Sequence, residues 1–89
     1  MACVYVLRCR DGSLYTGVAK DLEARLRQHQ AGRASRYTRA RLPVTLVWSR
    51  EVATWGEALR EERRIKSLRR RDKEAFLASL SAVAGSADP

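Results

Sequence analysis

Cys3-Val4-Tyr5-Val6-Leu7, then Asp11-Gly12, then Leu14-Tyr15-Thr16-Gly17-Val18 is the stretch that decides the fold. Both outer runs are β-branched and aromatic, and Asp-Gly between them is a strong turn signal. Together they read as an antiparallel hairpin. Gly17, inside the second run, marks a bulge or a close backbone approach. Outward from the hairpin, Asp21 can cap a helix carrying Leu22, Arg25, Leu26 and His29, which Gly32 stops. A polar stretch from Arg33 to Arg41 ends at Pro43, and Val44 to Val52 reads as a third strand. Thr54-Trp55-Gly56-Glu57 is a capping box that opens a long helix through about Leu68. Asp72 can cap a last helix, roughly Lys73 to Leu80, leaving 81–89 as a frayed tail. The order ββαβαα predicts an α+β fold, one domain over residues 1–80 with helices packed on a small antiparallel sheet.

Composition narrows the function. Eighty-nine residues allow one domain and one small core. The longest apolar run, Met1 to Leu7, is far short of the ~20 residues a membrane span needs. No basic segment precedes it, so no secretory signal is expected. Eighteen Lys+Arg against ten Asp+Glu leave +8, and fifteen of the eighteen are Arg. That balance favours a polyanionic partner, nucleic acid ahead of anionic lipid, although a GC-rich genome also enriches Arg. Cys3 and Cys9 lie on one strand ~20 Å apart, too far for a disulfide. With one His and no paired Cys-x-x-Cys, structural zinc is not expected, and free thiols place the chain in a reducing cytoplasm.

Several polar residues fall at inward positions. Along the 54–68 helix, Trp55, Ala58, Leu59, Ile65 and Arg69 share a sector centred near Glu62. A carboxylate in that apolar stripe requires compensation, by a salt bridge to an arginine or to Lys66 one turn on, or by a divalent cation. On the first helix, Leu22, Leu26 and His29 share a face with Arg25. His29 is either a satisfied structural histidine or a catalyst, and Arg25 either snorkels to solvent or serves a site. In the strands Tyr5 shares its face with Cys3, Leu7 and Cys9, and Tyr15 with Gly17.

Taken with Asp21-Leu22-Glu23-Ala24-Arg25-Leu26-Arg27-Gln28-His29 and Glu57-Ala58-Leu59-Arg60-Glu61-Glu62, the motifs Cys3-Val4-Tyr5 and Tyr15-Thr16-Gly17 resemble the GIY-YIG nuclease superfamily. The likeness covers about residues 2 to 80 and is greatest to its small stand-alone bacterial members. Cys3 stands where the family name has Gly, Thr16 replaces the central Ile, and the chain contains no Asn. The resemblance implies a three-stranded antiparallel sheet flanked by helices, and phosphodiester hydrolysis assisted by one Mg²⁺ or Mn²⁺. It implies Glu62 as metal ligand, Arg25 as transition-state stabiliser and Tyr5 in generating the nucleophile, with Tyr15 and His29 supporting or relaying the proton. The residue types suit that chemistry. A phosphodiester under attack gathers negative charge that a cation and a planar guanidinium stabilise. A hard carboxylate suits a cation that keeps most of its waters.

The stretch 32–42 carries Arg33, Arg36, Arg39 and Arg41 with no acid, and Ser35, Tyr37 and Thr38 add donors. It reads as a nucleic-acid contact with Tyr37 as a stacking face, or as a solvated loop. The segment from Arg60 to Arg71 is largely an exposed helix back with pairs such as Glu61–Arg64. Two functions from different classes are expected. One is a metal-dependent endonuclease, structure-selective for DNA more than RNA, in repair or recombination. The other is a nucleic-acid-binding module or accessory subunit without chemistry.

Overall fold

Strands β1 (Ala2–Arg8) and β2 (Leu14–Ala19) form the hairpin in a computed structural model that describes residues 1–87, with side chains through residue 78. Their antiparallel register sets Tyr5 opposite Gly17 and Leu7 opposite Tyr15. Strand β3 (Thr45–Val52) pairs antiparallel to the other edge of β1, giving a three-stranded sheet of order β2-β1-β3. A central strand covered on both faces needs apolar side chains in both directions. That is why β1 reads as a nearly unbroken apolar run rather than an alternating one.

The two faces carry separate cores. Tyr5, Leu7, Cys9, Ala19 and Val44 pack on one, with Leu22 and Leu26 of helix α1 (Leu22–Gln30) against them. Val4 and Val6 pack on the other, against Ile65 of helix α3 (Trp55–Lys66) and Leu77 of helix α4 (Arg70–Ala87). Ile65 is fully buried, worth about 1.5–3 kcal/mol of transfer free energy. The Asp21 side chain caps α1 by accepting from the Ala24 N–H at 3.1 Å, and Thr54 caps α3 through the Glu57 N–H at 3.1 Å. Both cysteines are free thiols. Among the described residues no helix is long and apolar enough to cross a membrane.

Four local expectations are revised. Gly17 sits in regular pairing and serves a close approach; the register shift lies instead between Val6 and Leu7 on the β3 side. The polar stretch contains helix α2 (Arg36–Arg39), because the Ser35 hydroxyl accepts from the Tyr37 N–H at 3.1 Å and nucleates a turn. Helix α4 begins at Arg70, not after Asp72, and runs to Ala87 through the expected tail; residues 88 and 89 lie outside the described residues. The buried line of α3 runs through Ala58 and Ile65, while Trp55 and Leu59 are 42% and 38% exposed. Glu62 therefore stands on the shoulder of that stripe, not at its centre.

Arginines tie the β1–β2 turn down. Arg8 makes a two-pronged pair with Glu74 of α4 at 2.6 and 3.0 Å and also donates to the Gly12 carbonyl. Arg70 donates to the same carbonyl at 2.9 Å. Gly12 carries φ +84°, a conformation the turn needs and few other residues tolerate.

Candidate active site

The site lies where α1 and α2 meet the outer strand β2, and its centre is Tyr5. An added Cβ on Gly17 would stand 2.5 Å from the Tyr5 hydroxyl oxygen and 2.6 Å from Cζ. Glycine is therefore the residue that lets the phenol lie across β2. Tyr5 is fully buried, and its hydroxyl is 2.8 Å from His29 Nε2. His29, also fully buried, has its Nδ1 2.8 Å from Thr38 Oγ1. The Thr38 hydroxyl lies 3.3 Å from the Ser35 carbonyl, an acceptor for its proton when it accepts from His29 Nδ1–H. His29 is then neutral with a bare Nε2 lone pair, and Tyr5 donates to it. In that tautomer the chain Tyr5 to His29 to Thr38 to Ser35 runs in one direction.

The electrostatics agree. Burial, then the charge of Arg25, pushes the His29 pKa below its usual 6.5, keeping the ring neutral and able to accept a proton. Burial raises the Tyr5 pKa above 10; Arg25 opposes that rise, while Tyr15 and Glu62 add to it. A standing phenolate is disfavoured. Tyr5 can still pass a proton on by receiving one at its oxygen as it gives its own to His29.

Arg25, half-buried, donates from Nη1 to Gln28 Oε1 at 3.1 Å, while its buried Nε has no partner. It lines an open concavity of about 450 Å³ together with Lys20, Gln28 and Trp55. A half-buried guanidinium at the edge of this concavity, with more N–H donors than the Gln28 bond uses, can receive an anionic oxygen. Tyr15 stands edge-on to His29, ring centroids 5.3 Å apart, and stacks on Tyr37 at 6.1 Å. Glu62 pairs through Oε2 with Lys66 at 3.2 Å and keeps its side chain 21% exposed. The five residues expected as catalytic therefore group unevenly. Tyr5, Tyr15 and His29 are in ring contact, while Arg25 acts on the Tyr5 hydroxyl by hydrogen bonding as well as charge, and Glu62 by charge alone.

The arginine-rich stretch divides in two. Arg33, Arg36 and Arg39 line an open concavity of about 410 Å³. Arg41 is engaged at the surface instead, with its side chain 34% exposed. Its Nε pairs with Asp11 at 3.0 Å, its Nη1 donates to the Tyr37 carbonyl at 2.9 Å, and its guanidinium covers the Tyr37 ring at 3.9 Å. Tyr37 has Arg41 over its ring and Tyr15 stacked on it, and remains 38% exposed. The exposed aromatic beside Arg25 is Trp55, with Lys20 Nζ 5.9 Å from its ring. Sequence reading also gave Thr38 the wrong direction. Its hydroxyl, expected at the surface, is fully buried on His29. The available signal was Ser35 three residues earlier, a helix cap that turns Thr38 inward.

Among the described residues, no group of three or more His, Cys, Asp or Glu could cage a metal ion. Glu62 offers a single hard carboxylate, paired through Oε2 with Lys66. That donor set does not fit a structural zinc or calcium site. It fits Mg²⁺ or Mn²⁺ held by one carboxylate, retained waters and substrate phosphate oxygens.

Residues 1–75 match the family described as the GIY-YIG catalytic domain. A UPF0213 protein of Streptococcus sanguinis is 49% identical over 76 residues, covering 85% of this chain and 87% of that one. A UPF0213 protein of Staphylococcus epidermidis is 47% identical over 70 residues, covering 79% and 85%. The solution NMR structure of the UPF0213 protein BH0048 from Bacillus halodurans superposes with a TM-score of 0.58 at 40% identity, covering 88% of this chain and 84% of that one. That of the protein EF2693 from E. faecalis gives 0.60 at 35% identity, covering 90% and 85%.

Proposed function

We propose, for a chain that belongs to the family of GIY-YIG catalytic domains, that it binds nucleic acid and hydrolyses its phosphodiester bonds. The finer reading is a Mg²⁺- or Mn²⁺-dependent, structure-selective endonuclease acting on DNA more than RNA, in repair or recombination in the cytoplasm. The single observation that carries hydrolysis is the directed chain from Tyr5 through neutral His29 to Thr38. A buried polar relay of this kind, with a lowered histidine and an arginine donor to spare, is costly to build for binding alone.

In that reading a substrate phosphate oxygen takes the free Arg25 donor, and the guanidinium stabilises charge as it accumulates. Tyr5 accepts the proton of the attacking water while its own proton moves to His29 Nε2. Arg25 disfavours the resulting imidazolium, and the phosphate beside it offsets that charge. Tyr15 holds the His29 ring edge-on, and Lys20 and Trp55 contact the strand beside Arg25. A divalent cation on Glu62 would supply Lewis-acid stabilisation of the phosphate.

A nucleic-acid-binding module or accessory subunit without chemistry has its own support. Glu62 is already engaged by Lys66, no multidentate metal cluster exists among the described residues, and the relatives' names state no reaction. The deciding assay incubates purified protein with branched, flapped and single-stranded DNA and with RNA, in Mg²⁺, Mn²⁺ or chelator. Hydrolysis predicts metal-dependent cleavage, lost in Tyr5→Phe and severely reduced in Arg25→Lys, with binding retained. Binding without cleavage of any substrate leaves the module reading.

A further inference from the structure

A third concavity, of about 240 Å³, opens where β2 meets the ends of α3 and α4, lined by Leu14, Tyr15, Thr16, Tyr37, Lys66 and Lys73. Its chemistry is one-sided. Two lysines come from two different helices, two phenols from two elements, and no acid lines it. Lys73 is half-buried and has no ion-pair partner among the described residues. Thr16 is 3% exposed, and its buried hydroxyl has no hydrogen-bond partner. A buried hydroxyl left unpaired costs about 1–3 kcal/mol and is rarely retained without something to pair it. The cavity also shares Tyr15 with the relay and connects to Glu62 through the Lys66 pair at 3.2 Å.

We propose that this cavity is a phosphate subsite for a nucleic-acid strand, further along the backbone from the phosphate held at Arg25. The inference rests on the nucleic-acid reading above and adds a position on the protein for a phosphate that is not cleaved. Lys73, the phenols and the unpaired Thr16 hydroxyl give the lining donors for a ligand rich in acceptor oxygens, with Lys66 shared with Glu62. Leu14 and the tyrosine rings offer an apolar wall for the attached sugar. The cavity lies on the β2 side with Tyr15, while Arg25 and Trp55 bound the other concavity on the same strand at Val18 and Ala19. A strand laid along β2 would therefore meet cationic donors at both ends and the relay between them.

The test is equilibrium binding of a fluorescein-labelled single-stranded oligodeoxynucleotide to the full chain in chelator, across a salt series. Lys73→Gln should reduce the log–log salt slope by about 0.7, the value for one phosphate contact on a single strand. Thr16→Val should weaken binding about tenfold, the size of one hydrogen bond to a charged group, without loss of fold stability. If Lys73→Gln flattens the slope but Thr16→Val binds like wild type, the lysine acts only as general surface charge and the cavity is not a site. If both variants bind like wild type, the subsite is refuted while the nucleic-acid reading stands. If the wild-type chain binds no oligonucleotide or duplex, the functional reading itself fails and this inference fails with it.

Discussion

Thr38→Val is the perturbation that separates a working relay from a packed histidine. Valine matches the shape of threonine and deletes the one group that accepts from His29 Nδ1–H. Thr38 is fully buried, so no water replaces it. His29 then has two poor options. It can keep the Nδ1 proton unpaired, or move it to Nε2, where it confronts the Tyr5 hydroxyl hydrogen across the 2.8 Å contact. Each leaves a buried polar group unsatisfied, for about 1–3 kcal/mol. At a urea m-value of about 1–3 kcal/mol/M, the unfolding midpoint should fall by roughly 1 M. A domain of this size holds only about 4–13 kcal/mol in total, so the loss is easily measured.

Because His29 is the sole histidine, its two ring nitrogens can be assigned without ambiguity by ¹⁵N NMR. The wild-type ring should carry its proton on Nδ1, and Thr38→Val should shift population toward Nε2–H. Thr38→Ser, which keeps a hydroxyl, should restore the wild-type tautomer. Thr38 touches no substrate and acts only by positioning His29. Even so, cleavage should drop in the valine variant by about 10²–10⁴, the range of a lost proton-transfer partner, and recover in the serine variant. A valine variant with the Nδ1–H tautomer and wild-type stability would refute the hydrogen-bond assignment. A shifted tautomer with undiminished cleavage would remove the Tyr5-to-His29 transfer from the reaction.

The lowered His29 pKa makes the fold release protons relative to the unfolded chain, so stability is full above about pH 6.5 and falls as pH drops below it. The carboxylates whose pKa values the fold lowers, Asp11, Glu61 and Glu74, start from 3.8 to 4.5, so decline between pH 6.5 and 4.5 should disappear in His29→Gln. Gly17→Ala places a methyl carbon 2.5 Å from the Tyr5 oxygen, and should cost about 1–3 kcal/mol from overpacking and abolish cleavage, as read by urea denaturation beside the nuclease assay. Glu62→Gln removes an ion pair whose lysine is 53% exposed, so stability in chelator should change by less than about 1 kcal/mol while metal-dependent cleavage vanishes. A loss of several kcal/mol would instead make Glu62 a structural anchor. Neutralising Arg33, Arg36 and Arg39 together should weaken binding across sequences and flatten its salt slope with stability intact, whereas Arg41→Gln should lower stability through its lost contacts to Asp11 and Tyr37.

Much of the fold was legible because its signals are local. Asp-Gly between two β-branched runs, Asp21 before Leu22 and Thr54 before Trp55 each act within a few residues, and each forms as read. The features not read fall where a tertiary contact adds to or overrides the local pattern. Arg41 looks like a surface arginine in a basic loop, and only the fold brings Asp11 and the Tyr37 ring to it. Glu62 looks central to its stripe until Ala58 and Ile65, not Trp55 and Leu59, are found against the sheet. Helix periodicity gives the spacing of a face but not the side on which the sheet lies.

The residues of the candidate site were legible for a different reason: their types conflict with their positions. A phenol, a guanidinium and an imidazole on inward faces of a fold with so small a core each demand a partner, and that demand is visible before any coordinates. What could not be read is which partner answers which. The sequence leaves open whether Tyr5 bonds to backbone, to a side chain or to water. The β1–β2 register and the absence of a side chain at Gly17 deliver it to His29. Thr38 completes the chain only because Ser35 starts a four-residue helix nine positions from His29 in sequence and in contact with it in space. The direction of proton flow is thus fixed by a short turn of helix in the stretch that sequence alone reads as a loop, and that stretch carries both the basic surface and the last link of the relay.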